Sequence, residues 1–352
     1  MEVIQVLDAL DYGDGVSNSV INTHKLLNEM NIKNNIYSKW AHDNVKEYRN
    51  DFDKFKPGKD AVVLYHFSGY SHIMDHMLKL KVKTVLVYHN VTPPEFFKDT
   101  NQEAYEGCLK GLSQIKSNIK KFDFYVGDSE FNKDNLLFYG VKEADVLPIA
   151  LDLDNLKNKK INSDILGLYA GKKMILAVGR IAPNKKVEDL LDVFEAYYTY
   201  IDANSVLLCV GSEEQSKDYS AALVQKLQRL NCRGSVIFTG KVADEDLYGY
   251  YRRADAFLCM SEHEGFCLPL IEAMFFDVPV IAYNSCAVPY TMGKSGVLVN
   301  VKDPQMISEV LDFVLHDKAV LDKILDEQRK NVELYMNDAL KVALKELLTK
   351  WG

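Results

Sequence analysis

Two carboxylates and two cations carry the strongest chemical signal in this chain. Glu264 and Glu272 bracket the run Glu264-Gly-Phe-Cys-Leu-Pro-Leu-Ile-Glu272. Carboxylates accept hydrogen bonds, so such a pair lying across a helix start suits the hydroxyls of a sugar or a ribose. A Glu near a helix start also serves as a plain dipole partner, and spacing alone leaves both readings open. Upstream, Val178-Gly-Arg180-Ile-Ala-Pro-Asn-Lys185-Lys186 sets a guanidinium and an ammonium in one strand-to-loop turn. Fixed cations there suit a diphosphate and the charge it gathers as it departs. A pair of surface cations is the alternative.

These residues need elements to position them. Short β-rich runs occur at 3–7, 61–65, 84–88, 124–126 and 146–149, with helix-like stretches between. The polar segment 154–171 interrupts this rhythm and reads as a domain linker. Runs at 174–178, 206–210, 236–239, 256–260 and 278–282 then resume it. The alternation predicts an α/β chain of two doubly wound, Rossmann-like halves. Ligands of such sheets bind at the C-terminal ends of the strands, and two facing sheets predict a site in the cleft between domains. Pro269 marks a helix start, so the N–H groups of 266–270 are expected to face an anion. Ser17 reads as the N-cap of the first helix.

Other residues fall after strand ends. Tyr88-His89-Asn90 closes a run, and His89 is placed to hydrogen-bond a transferred group or a phosphate oxygen. His66 and Ser68 follow another run, although an isolated histidine is often structural. Gly13 and Gly15 let backbone approach a phosphate or a sugar. Gly211 opens a further loop at the same sheet end as Gly179.

Composition narrows the class. The chain has 352 residues and a net charge of -8, with 47% hydrophobic and 26% charged residues. Residues 1–155 hold 18 basic against 23 acidic side chains. Neither half is a polycation, which argues against nucleic acid as a partner. Lys110, Lys116, Lys120 and Lys121 lie along one predicted helix, as a solvated face or as a docking face for anionic lipid. No apolar stretch is long enough to span a bilayer, and the N-terminus lacks a signal-peptide pattern. The six cysteines form no CxxC pair and have no histidine partner at ligand spacing, so no metal is expected and the reading is a reduced, cytoplasmic protein.

The runs Ala177-Val-Gly-Arg-Ile-Ala-Pro-Asn-Lys-Lys, Phe238-Thr-Gly-Lys and Ser261-x-x-Glu-Gly-Phe-x-Leu-Pro-x-x-Glu-Ala resemble glycosyltransferase family 4. So do Pro279-Val-Ile-Ala-Tyr, Gly296-Val-Leu-Val and Tyr88-His-Asn-Val-Thr-Pro-Pro-Glu-Phe-Phe. The resemblance is close over most of the second half and patchy in the first. It implies the two-Rossmann GT-B fold, with an acceptor-binding domain at 1–155 and a nucleotide-sugar donor domain at 156–336. A helix at 337–352 would cross back to the first domain. It also implies retaining transfer to a glycan or lipid-linked acceptor, without a cofactor or metal, and allows peripheral contact with the inner face of a membrane.

By that resemblance Arg180 and Lys185 bind the donor diphosphate, and Glu272 holds the ribose hydroxyls. Glu264 contacts the transferred sugar, near the backbone of Gly265, Phe266, Cys267 and Leu268. Gly13, Gly15, Gly179 and Gly211 border the donor, and His89 sits beside the sugar. His66, Ser68 and Asn90 fall on the acceptor side. The chain departs from the family pattern at Tyr290, where a glutamate is frequent, and at Asp277, where a glycine is. Two rivals are a GT-B epimerase or phosphorylase and a non-catalytic nucleotide-sugar-binding scaffold. A dinucleotide dehydrogenase is disfavoured, because neither opening strand is followed by Gly-x-Gly-x-x-Gly.

Overall fold

The computed structural model describes residues 1–156, 159–213 and 217–352. The chain divides into two units. Unit 1 comprises Met1–Pro93, Glu106–Leu156 and Leu334–Gly352, and unit 2 comprises Pro94–Tyr105 and Lys157–Glu333. Residues 157 and 158 of the expected linker lie outside the described residues.

Unit 1 is built on seven parallel strands: β1 (Glu2–Leu10), β2 (Asn34–Ala41), β3 (Arg49–Asp51), β4 (Ala61–Phe67), β5 (Lys83–Tyr88), β6 (Phe124–Gly127) and β7 (Asp145–Val146). Their spatial order is β3-β2-β1-β4-β5-β6-β7. The run Ala-Val-Val-Leu-Tyr-His-Phe of β4 is buried along its whole length. Val63, Tyr65 and Phe67 join one core with Ile4, Val6 and Leu86. Val62 and Leu64 join the opposite core with Val3, Val85 and Val87. A strand covered on both faces needs such a continuous apolar run, because successive side chains point to opposite faces. The second core is closed by Leu347, Leu348 and Trp351 of the helix Asn337–Trp351.

Unit 2 carries six parallel strands: β8 (Lys173–Val178), β9 (Ser205–Val210), β10 (Val236–Gly240), β11 (Ala256–Cys259), β12 (Val280–Tyr283) and β13 (Val297–Val299), in the order β10-β9-β8-β11-β12-β13. One face packs Ile175, Leu207, Leu258 and Ile281 against Leu191, Phe194 and Tyr197 of the helix Val187–Tyr200 and Leu311 of the helix Pro304–His316. In each sheet the strand order reverses once, between β1 and β4 and between β8 and β11. The loops leaving those strands diverge at their carboxyl ends and open a crevice.

Three local expectations are corrected. The run 146–149 gives a strand of only Asp145–Val146, since Pro148 cannot donate to a ladder. The first helix is capped by Asp14, whose carboxylate accepts from the Ser17 N–H at 2.9 Å. Ser17 Oγ instead accepts from the Asp11 N–H. Residues 94–105, expected in the first domain, cluster with unit 2. Their Phe96 ring lies 6.3 Å from that of His263. No helix among the described residues is long and apolar enough to cross a membrane.

Candidate active site

In unit 2 a short turn, Pro183–Lys185, follows β8 and leads into the helix Val187–Tyr200 through Lys186, which adopts φ 52°. Two hydrogen bonds tie this turn to the loop after β11. The Glu262 N–H donates to the Asn184 carbonyl at 2.9 Å. The Asn184 side-chain amide donates to the His263 carbonyl at 3.1 Å. The same loop is gripped from the β12 side, where Ser285 Oγ donates to the Ser261 carbonyl at 2.6 Å and the Ala287 N–H to the Glu264 carbonyl at 3.3 Å. These bonds bring together residues 79 positions apart: Lys185 Nζ donates to both oxygens of Glu264, at 2.6 and 2.7 Å.

Glu264 is buried and Lys185 half-buried, and each partner sustains the other's charge. Burial opposes ionisation of Glu264, but the Lys185 ammonium overcomes it and holds the carboxyl below its usual range. Burial likewise opposes the Lys185 charge, and Glu264 returns it above the usual ammonium value. Glu272 is held differently. Tyr251 Oη donates to its Oε2 at 2.8 Å. Burial raises the Glu272 carboxyl above its ordinary value, and the tyrosine hydrogen bond only partly offsets this. The two glutamates therefore do not share a partner in the described network. One is a fixed anion in an ion pair, and the other is a carboxyl whose charge is disfavoured.

The helix after this loop, Leu268–Phe275, has Leu268 rather than Pro269 as its first residue, and Cys267 caps it at φ 73°. The expected row of anion-facing N–H groups is shorter than 266–270. Pro269 has none, and the Leu270 N–H is spent on the Cys267 carbonyl at 3.1 Å. Arg180 is exposed after β8. It lines, with Gly179, Lys185, Cys259 and Ser261, a cavity of about 30 Å³ at the strand-order reversal. Gly211 has a backbone reason to be glycine, because a Cβ there would stand 1.9 Å from the Gly179 carbonyl oxygen.

In unit 1 the sequence-selected His66, His89 and Asn90 meet in one buried chain of hydrogen bonds, and its direction can be worked out. Gln5 Nε2 donates to the Val20 carbonyl at 2.9 Å, so its Oε1, 3.2 Å from His66 Nε2, is an acceptor. His66 must then carry its proton on Nε2. Burial keeps this imidazole neutral, with its pKa well below the ordinary value. Its Nδ1 is therefore an acceptor for His89 Nε2–H, 2.9 Å away. His89 Nδ1 faces Asp128 Oδ2 at 3.0 Å. One proton occupies that last bond, on aspartic acid or on imidazolium. Burial raises the Asp128 carboxyl, against the pull of His89 and Asn132. From the other side, Asn90 Nδ2 donates to Asn132 Oδ1 at 2.5 Å, and Asn132 Nδ2 donates to Asp128 Oδ1.

Both nitrogens of His89 are thus engaged, so a ligand would reach His89 Nε2 only by displacing His66. Ser68 is exposed and, together with His66, Asp8, Asp11 and Asp14, lines a cavity of about 200 Å³ at the β1/β4 reversal. Gly13, at φ 77°, and Gly15, which opens the helix Gly15–Glu29, belong to the adjoining turn. Sequence reasoning missed Gln5, Asp128, Asn132 and Tyr251. Of these only Gln5 is a polar residue in the middle of an apolar strand run, whose signal is that it needs a partner. Asp128 lies in the bend after β6, and Asn132 and Tyr251 sit in polar helices where nothing sets them apart.

Two all-parallel α/β units, each with its crevice at a strand-order reversal, define the GT-B class of fold. Solved structures agree over nearly the whole chain. Anabaena HepE, crystallised with UDP-glucose, aligns with a TM-score of 0.77 at 13% identity and covers 99% of both chains. Sucrose-phosphate synthase from Thermosynechococcus elongatus aligns at 0.76 with 18% identity, again over 99% of each. The chain belongs to the family described as glycosyl transferases group 1, whose sequence profile matches residues 158–333, half of its length. Among curated relatives, the alpha-monoglucosyldiacylglycerol synthase of Streptococcus pneumoniae is 27% identical over 219 residues, 59% of this chain. The O-antigen chain mannosyltransferase B of Escherichia coli is 31% identical over 251 residues, 69% of this chain. The match spans 47% and 63% of those two proteins, less than two thirds of either.

Proposed function

We propose that this chain is a retaining glycosyltransferase of family 4, using a UDP- or GDP-sugar donor and a glycan or lipid-linked acceptor. The observation that carries the reading is the partly buried Lys185–Glu264 ion pair beside Arg180 at the carboxyl end of β8. An ammonium and a guanidinium there meet the charge that grows on a departing diphosphate, with no need of a divalent ion. Glu264, already ionised, accepts from hydroxyls of the transferred sugar. Glu272 accepts from the ribose hydroxyls while Tyr251 steadies it. His89 turns its Nε2–H from His66 to a sugar oxygen.

In the transfer step the anomeric C–O bond breaks and its electron pair leaves with the diphosphate. The acceptor oxygen attacks the same face, and its proton passes to the leaving phosphate. No residue of the site is placed as a covalent nucleophile in this reading. The acceptor is assigned to unit 1, where Asp8, Asp11 and Asp14 line a cavity. Carboxylates repel phosphate and accept from hydroxyls, which favours a polyhydroxyl acceptor there over the donor phosphates. A lipid-linked acceptor draws support from the relative named as a diacylglycerol-modifying synthase.

The test is thermal stability in chelator against UDP, GDP, ADP and NAD, followed by product analysis with an added acceptor. A ligand at 100 times its Kd adds about 2.7 kcal/mol. Stabilisation by UDP or GDP, with an anomer-retained product, is the expected result. Binding without transfer or slow donor hydrolysis would mark a scaffold. Stabilisation by NAD alone, or by none of the four, would overturn the reading.

A further inference from the structure

The Lys185–Glu264 pair does not stand alone. Cys259, at the end of β11, and Cys267, at the cap of the next helix, lie beside the same carboxylate. One sulfur from each and a carboxylate oxygen all lie within 4.8 Å of one another, and all three residues are buried. Two soft sulfur ligands and a hard oxygen at that spacing match few things better than a thiophilic divalent ion. Zinc binds sulfur at about 2.3 Å and carboxylate oxygen at about 2.0–2.2 Å. Tetrahedral ligands then stand about 3.5–3.8 Å apart, so the trio needs only a small contraction.

We propose that Cys259, Glu264 and Cys267 form a binding site for a thiophilic divalent cation, with Zn²⁺ the natural occupant and Lys185 the charge that completes it. Two thiolates and one carboxylate around a divalent ion leave one negative charge, which the Lys185 ammonium matches. Lys185 holds both Glu264 oxygens in the metal-free chain, so the ion takes one of them and leaves Lys185 the other. A ligating carboxylate held by an outer hydrogen bond is a usual feature of metal sites. Ser261 Oγ, 3.4 Å from Cys259 Sγ, adds a polar neighbour. Cys259, Ser261 and Lys185 also line the cavity of about 30 Å³, room for one water-sized body as a fourth ligand. On binding, each thiol loses its proton to solvent and no oxidant takes part.

The site is regulatory rather than catalytic. An ion that takes Glu264 removes it from the sugar hydroxyls, so Zn²⁺ should inhibit transfer; this last consequence alone rests on the function proposed above.

The test uses the full chain, stripped of metal and fully reduced. Cd²⁺ is titrated as a spectroscopic probe, and Zn²⁺ is titrated against a chromophoric chelator. The expected result is one equivalent bound, an ultraviolet thiolate-to-cadmium band, and acidification of a weakly buffered solution. Affinity should fall about 10-fold or more in C259S, C267S and E264Q, and stay unchanged in the C108S/C286S control. Absence of saturable binding would overturn the site, as would binding unaltered in C259S and C267S or lost in the control. X-ray absorption of the zinc-loaded native chain decides the matter without any variant. A first shell with two sulfurs supports the site, and a shell of nitrogen and oxygen alone refutes it. All these readouts are independent of transferase activity.

Discussion

Lys185 donates to both oxygens of Glu264, so neither side chain can be removed without stranding a buried carboxylate or a half-buried ammonium. Breaking such a pair costs about 3–5 kcal/mol, whereas replacing both partners with apolar groups of similar volume is often close to neutral. K185A and E264A should each lower stability by that amount in urea denaturation. K185M/E264L should recover most of the loss. Turnover should fall at least about 10-fold in all three, because the double variant restores packing and not leaving-group charge. An active double variant would remove Lys185 from the chemistry.

With the shared proton on Asp128, the hydrogen-bond directions around His89 predict unequal results for two changes at one site. In D128N the new amide donates to His89 Nδ1 and its oxygen still accepts from Asn132. Stability at pH 7 should shift by less than about 1 kcal/mol. D128A leaves a buried imidazole nitrogen and the Asn132 amide without partners, at about 1–3 kcal/mol or more. Equal losses in the two variants would show that the bond requires an ion pair.

Gly211 cannot carry a side chain without displacing the Gly179 carbonyl. G211A should destabilise by at least about 2 kcal/mol, read as a lowered Tm. Because Gly179 precedes Arg180, nucleotide stabilisation should weaken as well. G234A is the control, since a Cβ there meets nothing within 4 Å.

Acid should weaken unit 2 before its carboxylates titrate. Burial pushes the His263 imidazole down to about 4, with Glu264 pulling it up and Lys185 pushing it down. An unfolded histidine takes its proton near pH 6.5. The unfolded state therefore binds more protons between those values, and stability falls as pH drops from about 6.5 to about 4. The loss from pH 7 to pH 5 should be about 2 kcal/mol from this group. Denaturant midpoints of the native chain and H263F at the two pH values test it, the variant showing the shallower dependence.

The strands legible in the sequence were those buried on both faces, such as β4, β5, β8 and β9, whose apolar runs have one explanation. β2 was not legible. Its buried positions include Asn34 and Ser38, whose side chains donate to Asn28 Oδ1 and to the Trp40 carbonyl rather than packing as apolar groups. β3 and β13 are three residues long, too short for periodicity. At the site, residue types and strand-end positions pointed to Arg180, Lys185, Glu264, Glu272 and His89. The pairing of Lys185 with Glu264 was not visible, because it depends on how Asn184 ties two loops together. The Cys259–Glu264–Cys267 cluster was likewise hidden. Cys259 closes a strand and Cys267 caps a helix, and only the fold of the intervening loop closes the gap.

Trp351 is fully buried in the core of unit 1, beside Val3, Leu27 and Val85. During vectorial synthesis the ribosome makes residues 157–333 before it reaches this helix. Unit 2 can complete its sheet while it emerges, but the face of unit 1 that Trp351 covers stays bare until some two hundred further residues have followed Leu156 out of the exit tunnel. The first sheet begun is therefore the last one sealed, and in that interval its apolar surface is open to chaperones.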